Sequence, residues 1–289
     1  AYSRPCGVPA PSVPPSVRSS GEPYSTEEGG AMEAKVEDYR QNFHTGKVLG
    51  STVMAMLAPG PGMRILDLGC GDGHLMSQMV DAGSHVVGVD SDPAFVAVAL
   101  KRGLDARVCD GQSLDFSEEF DRVFSNAALH WMADHRAVLR GVHRALRPGG
   151  QFVAEFGGQG NVSEIVSALS GELRARGLDP EVRNPWFFPS SEEYSELLRA
   201  AGFSVRQCEL VPRPTQLEVD ISAWLQTFCA KWLFGVEEDV AGSILSAVRD
   251  ELAPALLRDG AWTVAYVRLR VVADKALVTD SLPADDILP

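Results

Sequence analysis

The stretch from Met63 to Gly73, MRILDLGCGDG, constrains this chain more than any other. Met63, Ile65, Leu66 and Leu68 form a short apolar run, the pattern of a strand buried in a parallel sheet. Gly69, Gly71 and Gly73 then occupy alternate positions. Lacking Cβ atoms, they let the backbone turn sharply and let a ligand come close. Asp67, near the strand's end, can accept a hydrogen bond from a cationic ligand group. The helix expected just beyond offers unpaired N–H groups at its N-terminus.

His85 to Asp90, HVVGVD, reads as a second buried strand ending in an acid. Asp90 stands where open α/β folds place a carboxylate on ribose hydroxyls. A glycine turn followed by such an acid points to an adenosine-containing cofactor. The dinucleotide fingerprint Gly-x-Gly-x-x-Gly asks for Gly or Ala at position 74. The residue there is His74, so an NAD-dependent enzyme is the weaker reading.

Alternation continues along the chain. Helices are expected over 32–58, 73–82, 93–102 and 134–146, and strands over 85–89, 106–109, 120–124 and 151–156. Asp92-Pro93 supplies a cap with proline in the first turn. Leu146-Arg147-Pro148-Gly149-Gly150 ends a helix and sets the next strand. This β-α order predicts a parallel sheet with helices on both faces. Beyond it, 161–176, 190–201, 221–234 and 237–258 read as helices. Residues 203–210 and 262–272 read as the last two strands, the final one antiparallel.

The spacing Asp67-x-Gly69-x-Gly71-x-Gly73 resembles the first motif of class I S-adenosylmethionine-dependent methyltransferases. The Ser125-Asn126-Ala127-Ala128-Leu129-His130-Trp131 run resembles their post-strand-four segment. The order of Asn184-Pro185-Trp186-Phe187, Ala201-Gly202-Phe203, Arg213-Pro214-Thr215 and Trp224-Leu225 is similar to the trans-aconitate methyltransferase-like group (the methyltransferase type 11 group). The resemblance covers roughly residues 33–275. It implies a Rossmann-like α/β fold, with a seven-stranded, mostly parallel sheet. It further implies S-adenosyl-L-methionine as cofactor, bound by Asp67, Gly69, Cys70, Gly71, Asp90, Ser91, Asp110, Gly111, Asn126 and Ala127. Tyr39 and Phe43 would cover it, or belong to ordinary core. Asp110 either faces the adenine or caps a short helix. His130 is the candidate general base, or a packing histidine. Cys70 is a packing residue rather than a nucleophile, with no cation placed to lower its pKa.

Residues 1–30 are expected to form a Pro/Ser-rich arm, 31–275 a methyltransferase domain, and 276–289 a tail. Within the domain, residues about 160–202 and 218–258 form a helical lid. Trp131, Trp186, Phe187 and Trp224 make that lid aromatic, to enclose a small acceptor or simply to pack. The expected reaction is methylation of a small molecule on a carboxylate or hydroxyl oxygen. The alternative is a methyltransferase-like structural subunit or assembly factor, its arm lying on a protein partner.

Composition narrows the partners. The net charge of −13 and pI near 4.9 oppose nucleic-acid binding, which needs clustered Lys and Arg. No apolar run reaches membrane-spanning length, and no cluster suggests a metal. Five cysteines without a Cys-x-x-Cys pair suggest reduced thiols. The chain begins at Ala1. The expected location is cytoplasmic, or a chloroplast or mitochondrion if a transit peptide has been cleaved.

Overall fold

In the computed structural model, residues 51–277 are described. Tyr39, Phe43, the 1–30 arm and the tail beyond 277 lie outside them. The apolar run after Gly62 becomes β1 (Arg64–Leu68), and the glycine turn leads into α2 (His74–Asp81), after a short α1 (Ser51–Leu57). β2 (His85–Asp90), α3 (Pro93–Lys101), β3 (Asp105–Val108), β4 (Phe120–Asn126), α4 (His135–Ala145) and β5 (Leu146–Gly157) complete the alternating half. Helix starts are set locally. Asp92 accepts the Ala94 N–H and Asp134 the Ala137 N–H, both at 2.9 Å, caps worth about 1 kcal/mol each.

The second half adds α5 (Ser163–Ala175), α6 (Pro180–Arg183), α7 (Ser191–Ala200), β6 (Phe203–Gln216), α8 (Ile221–Phe228), α9 (Glu238–Leu256), β7 (Leu257–Arg258) and β8 (Ala261–Lys275). The sheet order is β3-β2-β1-β4-β5-β8-β6, with the short β7 pairing off the path to β8. β1 to β5 are mutually parallel, and β8 runs antiparallel to both β5 and β6. The Rossmann-like arrangement expected from the sequence is therefore present. β6 runs past its expected end to Gln216, through Pro212 and Pro214. An edge strand tolerates proline because one row of its N–H groups has no ladder to join.

One sheet face buries Leu66, Leu68, Val123, Phe152 and Phe156 under α4 and α7. The other buries Ile65, Phe124 and Val153 under α1, α2 and α3. A third cluster joins α5, α8 and α9 through Ile165, Leu169, Trp224, Trp232 and Val248, together with Trp262 and Val264 of β8. α7, read with the lid in the sequence, packs on the sheet through Tyr194 and Leu198 instead.

Candidate active site

The order of strands reverses between β1 and β4, so the crevice at their carboxyl ends is where such a sheet binds ligands. Two loops meet there. Gly69 has φ +78°, and a Cβ on it would lie 2.2 Å from the Ala128 Cβ. The turn after β1 therefore nests directly against the loop after β4. Ser125 reinforces this, its Oγ donating to the Leu68 carbonyl at 2.7 Å. Gly71 is different: at φ +53° a Cβ would meet nothing within 4 Å among the described residues. Among the described residues the backbone is bare there.

Two acids flank that turn. Asp90 Oδ2 accepts the Gly71 N–H at 3.0 Å, and Oδ1 accepts the Asp92 N–H at 2.9 Å across Ser91. Each oxygen keeps a lone pair for a ligand hydroxyl. Asp67 is only 2% exposed. Burial, and next the charge of Asp90, raise its pKa from 3.8 to about 8. Such a carboxyl holds its proton at neutral pH until a cation approaches. Cys70 sits beside them with its thiol pushed far up, by burial first and then by Asp67. It is a packing residue, and a Cβ on Gly88 would come within 2.8 Å of its sulfur.

Asp110 caps the turn Gly111–Ser113, accepting the Gln112 N–H at 2.9 Å. The Gln112 side chain bonds back to both Asp110 oxygens, at 3.1 and 3.2 Å, and accepts the Asp134 N–H at 2.8 Å. Gly111 is buried, where a Cβ would lie 2.7 Å from Leu68 Cδ1 and 2.8 Å from Met132 Cε. Asn126 ends β4 half-buried. Ala127 then adopts φ +55°, a left-handed conformation costing a non-glycine residue roughly 1–2 kcal/mol. Its N–H donates to the Glu155 carbonyl at 2.7 Å, which holds the strained residue in place. Strain of this kind gathers at ligand sites.

The aromatic residues divide. Trp186 and Trp224 are 8% and 3% exposed, with ring centres 6.4 Å apart, and pack into the lid's own core with Trp232. Trp131, half-buried, meets Trp186 edge-on at 5.8 Å. Phe187 does not belong to this group. Its ring lies 4.3 Å from His135 and packs into the sheet core, while Trp186 and Phe188 on either side face the lid. Consecutive residues of an extended segment point opposite ways.

Comparison with known proteins decides the family. The methyltransferase domain family matches residues 66–154. An uncharacterized methyltransferase of Schizosaccharomyces pombe is 39% identical over 258 residues, 83% of this chain and 96% of the relative. The chain belongs to the S-adenosylmethionine-dependent methyltransferase family. A trans-aconitate 2-methyltransferase of Mycobacterium tuberculosis is 37% identical over 202 residues, 66% of this chain and 70% of the relative. A solved phosphoethanolamine N-methyltransferase 2 of Haemonchus contortus, with S-adenosylhomocysteine, shares the fold at TM-score 0.55. It is 20% identical, and the match covers 84% of this chain and 57% of that one.

In this methyltransferase His130 is not set up as a base. Its Nδ1 accepts the Gly157 N–H at 3.3 Å, which leaves the proton of the neutral ring on Nε2. Burial, then the charge of Arg268, push its pKa from 6.5 down to about 3. The ring is a neutral donor, wedged between Trp131 and Phe188 with centres 5.4 and 5.8 Å away.

A buried ion network escaped the sequence. Glu155, 3% exposed, receives Arg213 Nη1 at 3.1 Å on one oxygen and Arg270 Nε at 2.7 Å on the other. One acid inside the apolar run Phe152–Phe156 was the available signal. Arg270, in the alternating strand pattern near the chain's end, was one counterpart, and Arg213 the other. Among the described residues no group of His, Cys, Asp and Glu is arranged to hold a metal, and no helix is long and apolar enough to cross a membrane.

Proposed function

We propose that this methyltransferase methylates an oxygen, carboxylate or hydroxyl, of a small molecule held between the strand ends and the lid. The observation that carries the reading is the bare backbone at Gly71, open where Gly69 is packed tight, with Asp67 and Asp90 beside it. These residues fit the cofactor's chemistry. Asp67 would meet the cationic amino acid end, and the free lone pairs of Asp90 the ribose hydroxyls. Asp110 and Gly111 would border the base, with Cys70 and Ser91 contributing backbone. When bound, S-adenosylmethionine supplies a methyl group on an already activated sulfonium.

The chain's own task is therefore positioning. Asn126 and the strained Ala127 would line the place where donor and acceptor meet. Holding the acceptor oxygen in line there can remove on the order of 7–11 kcal/mol of barrier. A carboxylate acceptor needs no base, in keeping with a neutral, donor-only His130. The lid's aromatic core, with Trp131 at its margin, would exclude water. Tyr39 and Phe43 are proposed to close over the cofactor. The net charge of −13 favours a small acceptor over a nucleic acid.

Transfer from S-adenosylmethionine carrying a tritiated methyl group, followed by fractionation of extract, tests the reading. Label should enter the small-molecule fraction in a form released by mild alkali for a methyl ester, or stable to it for an ether. Label confined to RNA or protein would refute it.

A further inference from the structure

The inference rests on the proposed reading that a small acceptor meets the methyl donor beside the loop after β4. That loop is braced between two glycine turns at the strand ends. At one end Ala128 lies against Gly69, where an added Cβ would come within 2.2 Å of the Ala128 Cβ. At the other end Met132 lies against Gly111, where an added Cβ would come within 2.8 Å of Met132 Cε. Between them the tight turn Leu129–Trp131 carries His130. Leu129 fills the sheet core and Trp131 packs against the lid core, so both neighbours of His130 are anchored.

His130 itself is held in one orientation. Its Nδ1 accepts the Gly157 N–H at 3.3 Å, and its backbone carbonyl accepts the Phe187 N–H at 3.0 Å. The rings of Trp131 and Phe188 confine the imidazole between them. A ring nitrogen that accepts an N–H carries no proton, so the one proton of the ring sits on Nε2, at the edge turned away from Gly157. His130 is only 8% exposed, and among the described residues Nε2–H donates to nothing. A buried donor left without an acceptor costs about 1–3 kcal/mol. A donor kept in that state, on the turn between two crevice glycines, calls for an acceptor from outside the fold.

We propose that the His130 Nε2–H holds one oxygen of a carboxylate on the methyl acceptor, and that the product is a methyl ester. A carboxylate has an oxygen to spare. While one is pinned by Nε2–H, a lone pair of the other forms the new bond to the methyl carbon. The electron pair of the broken S–CH3 bond stays on sulfur, leaving the methyl ester and S-adenosylhomocysteine, and no proton is gained or lost. A hydroxyl acceptor must shed a proton, which a ring whose Nδ1 is already occupied does not take. A neutral amine has a single lone pair, and a donor that binds it blocks the attack. The same N–H therefore selects carboxylates over both.

Transfer of a tritiated methyl group by the full chain into a small-molecule extract, at saturating S-adenosylmethionine, tests this. In the wild type, mild alkali should release the label as methanol. The rate of transfer should be flat from about pH 6.5 to 8, where carboxylates are already ionised. His130→Asn keeps an oxygen for the Gly157 N–H and loses the donor on the far edge. Ester formation should fall roughly 10- to 100-fold, the loss of one hydrogen bond to a charged group. His130→Gln reaches as far as Nε2 with an amide N–H and should recover most of that rate. Both variants should bind S-adenosylhomocysteine as the wild type does, which also shows that they fold. Alkali-stable label in small molecules, a rate that climbs with pH, ester formation indifferent to His130→Asn, or equal losses in the two variants overturns the inference and leaves small-molecule methylation standing. Absence of label from small molecules overturns that reading, and this inference with it.

Discussion

Asp90 holds the Gly71 N–H at 3.0 Å, so the acid ending the second strand also shapes the glycine turn of the first. Its second oxygen fastens the following turn through Asp92. Replacing it should therefore cost binding twice, once through the ligand hydroxyls and once through the turn. Asp90→Asn should weaken S-adenosylhomocysteine by roughly 10- to 100-fold, the loss of one or two hydrogen bonds to a charged acceptor. Titration calorimetry measures it, and unchanged affinity would remove Asp90 from the cofactor site.

The two neighbouring glycines make opposite predictions. Gly71→Val places a branched side chain at φ +53° where the described residues leave open space. The backbone strain costs about 1–2 kcal/mol, but no packed neighbour among the described residues must move, so the variant should fold and fail to bind S-adenosylhomocysteine. Gly69→Val meets Ala128 Cβ at 2.2 Å even with its first carbon. It should lose several degrees of Tm or not fold. Thermal melts beside binding curves separate the two, and normal binding by Gly71→Val would exclude the open turn as the ligand's seat.

Asp67 predicts a pH dependence with a definite sign. Its pKa rises from 3.8 to about 8 in the ligand-free fold. Between those values the folded protein holds a proton that the unfolded chain has lost. This group therefore lowers the stability of the ligand-free protein as pH rises through that window. A cationic ligand end against the carboxylate reverses the balance and expels the proton. S-Adenosylmethionine should bind more tightly from pH 6 to pH 8, releasing close to one proton at pH 7. Calorimetry in buffers of different ionisation enthalpy reads that proton directly. Asp67→Asn should abolish both the release and the pH slope.

The alternating half was legible because its signals are local. An apolar run ending in Gly69, or in Asp90, declares a strand and the ligand-facing turn beyond it within a few residues. Asp92 and Pro93 declare a helix start just as plainly. What could not be read was direction across space. Trp186, Phe187 and Phe188 are alike in sequence, yet adjacent residues go to different cores. His130 looked like a base because histidine titrates near neutrality. Only the fold reveals that the Gly157 N–H occupies its acceptor nitrogen. The Glu155 network joins β5, β6 and β8 across residues 155, 213 and 270, and no local pattern connects them.

His130 should be absent from the pH–rate profile. With its pKa pushed from 6.5 to about 3, it stays neutral throughout the working range. His135, buried beside Phe187, is pushed down to about 4 in the same way, by burial first. Both groups bind protons in the unfolded chain before they do in the fold. They therefore stabilise the protein above pH 6.5, and that stabilisation is lost as pH falls towards 3 or 4. Acid melts should show a Tm falling below pH 6. His130→Asn should flatten part of that fall, while kcat/KM gains or loses no inflection between pH 6 and 7. An inflection in that range that vanishes in His130→Asn would restore the base.

Glu155 should matter for stability and for the site at once. Its side chain is the sole acid between Arg213 and Arg270 in the contacts described, and its carbonyl restrains Ala127 at φ +55°. Glu155→Ala leaves two half-buried arginines without that partner. Breaking a buried pair from one side typically costs 3–5 kcal/mol. About 2–4 °C of Tm per kcal/mol in a domain of this size gives a fall of roughly 6–20 °C. Glu155→Gln keeps the shape and two of the contacts' acceptors reduced to one, so it should fall between wild type and Ala. Because the backbone carbonyl survives both changes, S-adenosylhomocysteine affinity should move far less than Tm. A loss of affinity larger than the loss of stability would mean that Glu155 faces the cofactor rather than bracing the strands beside it.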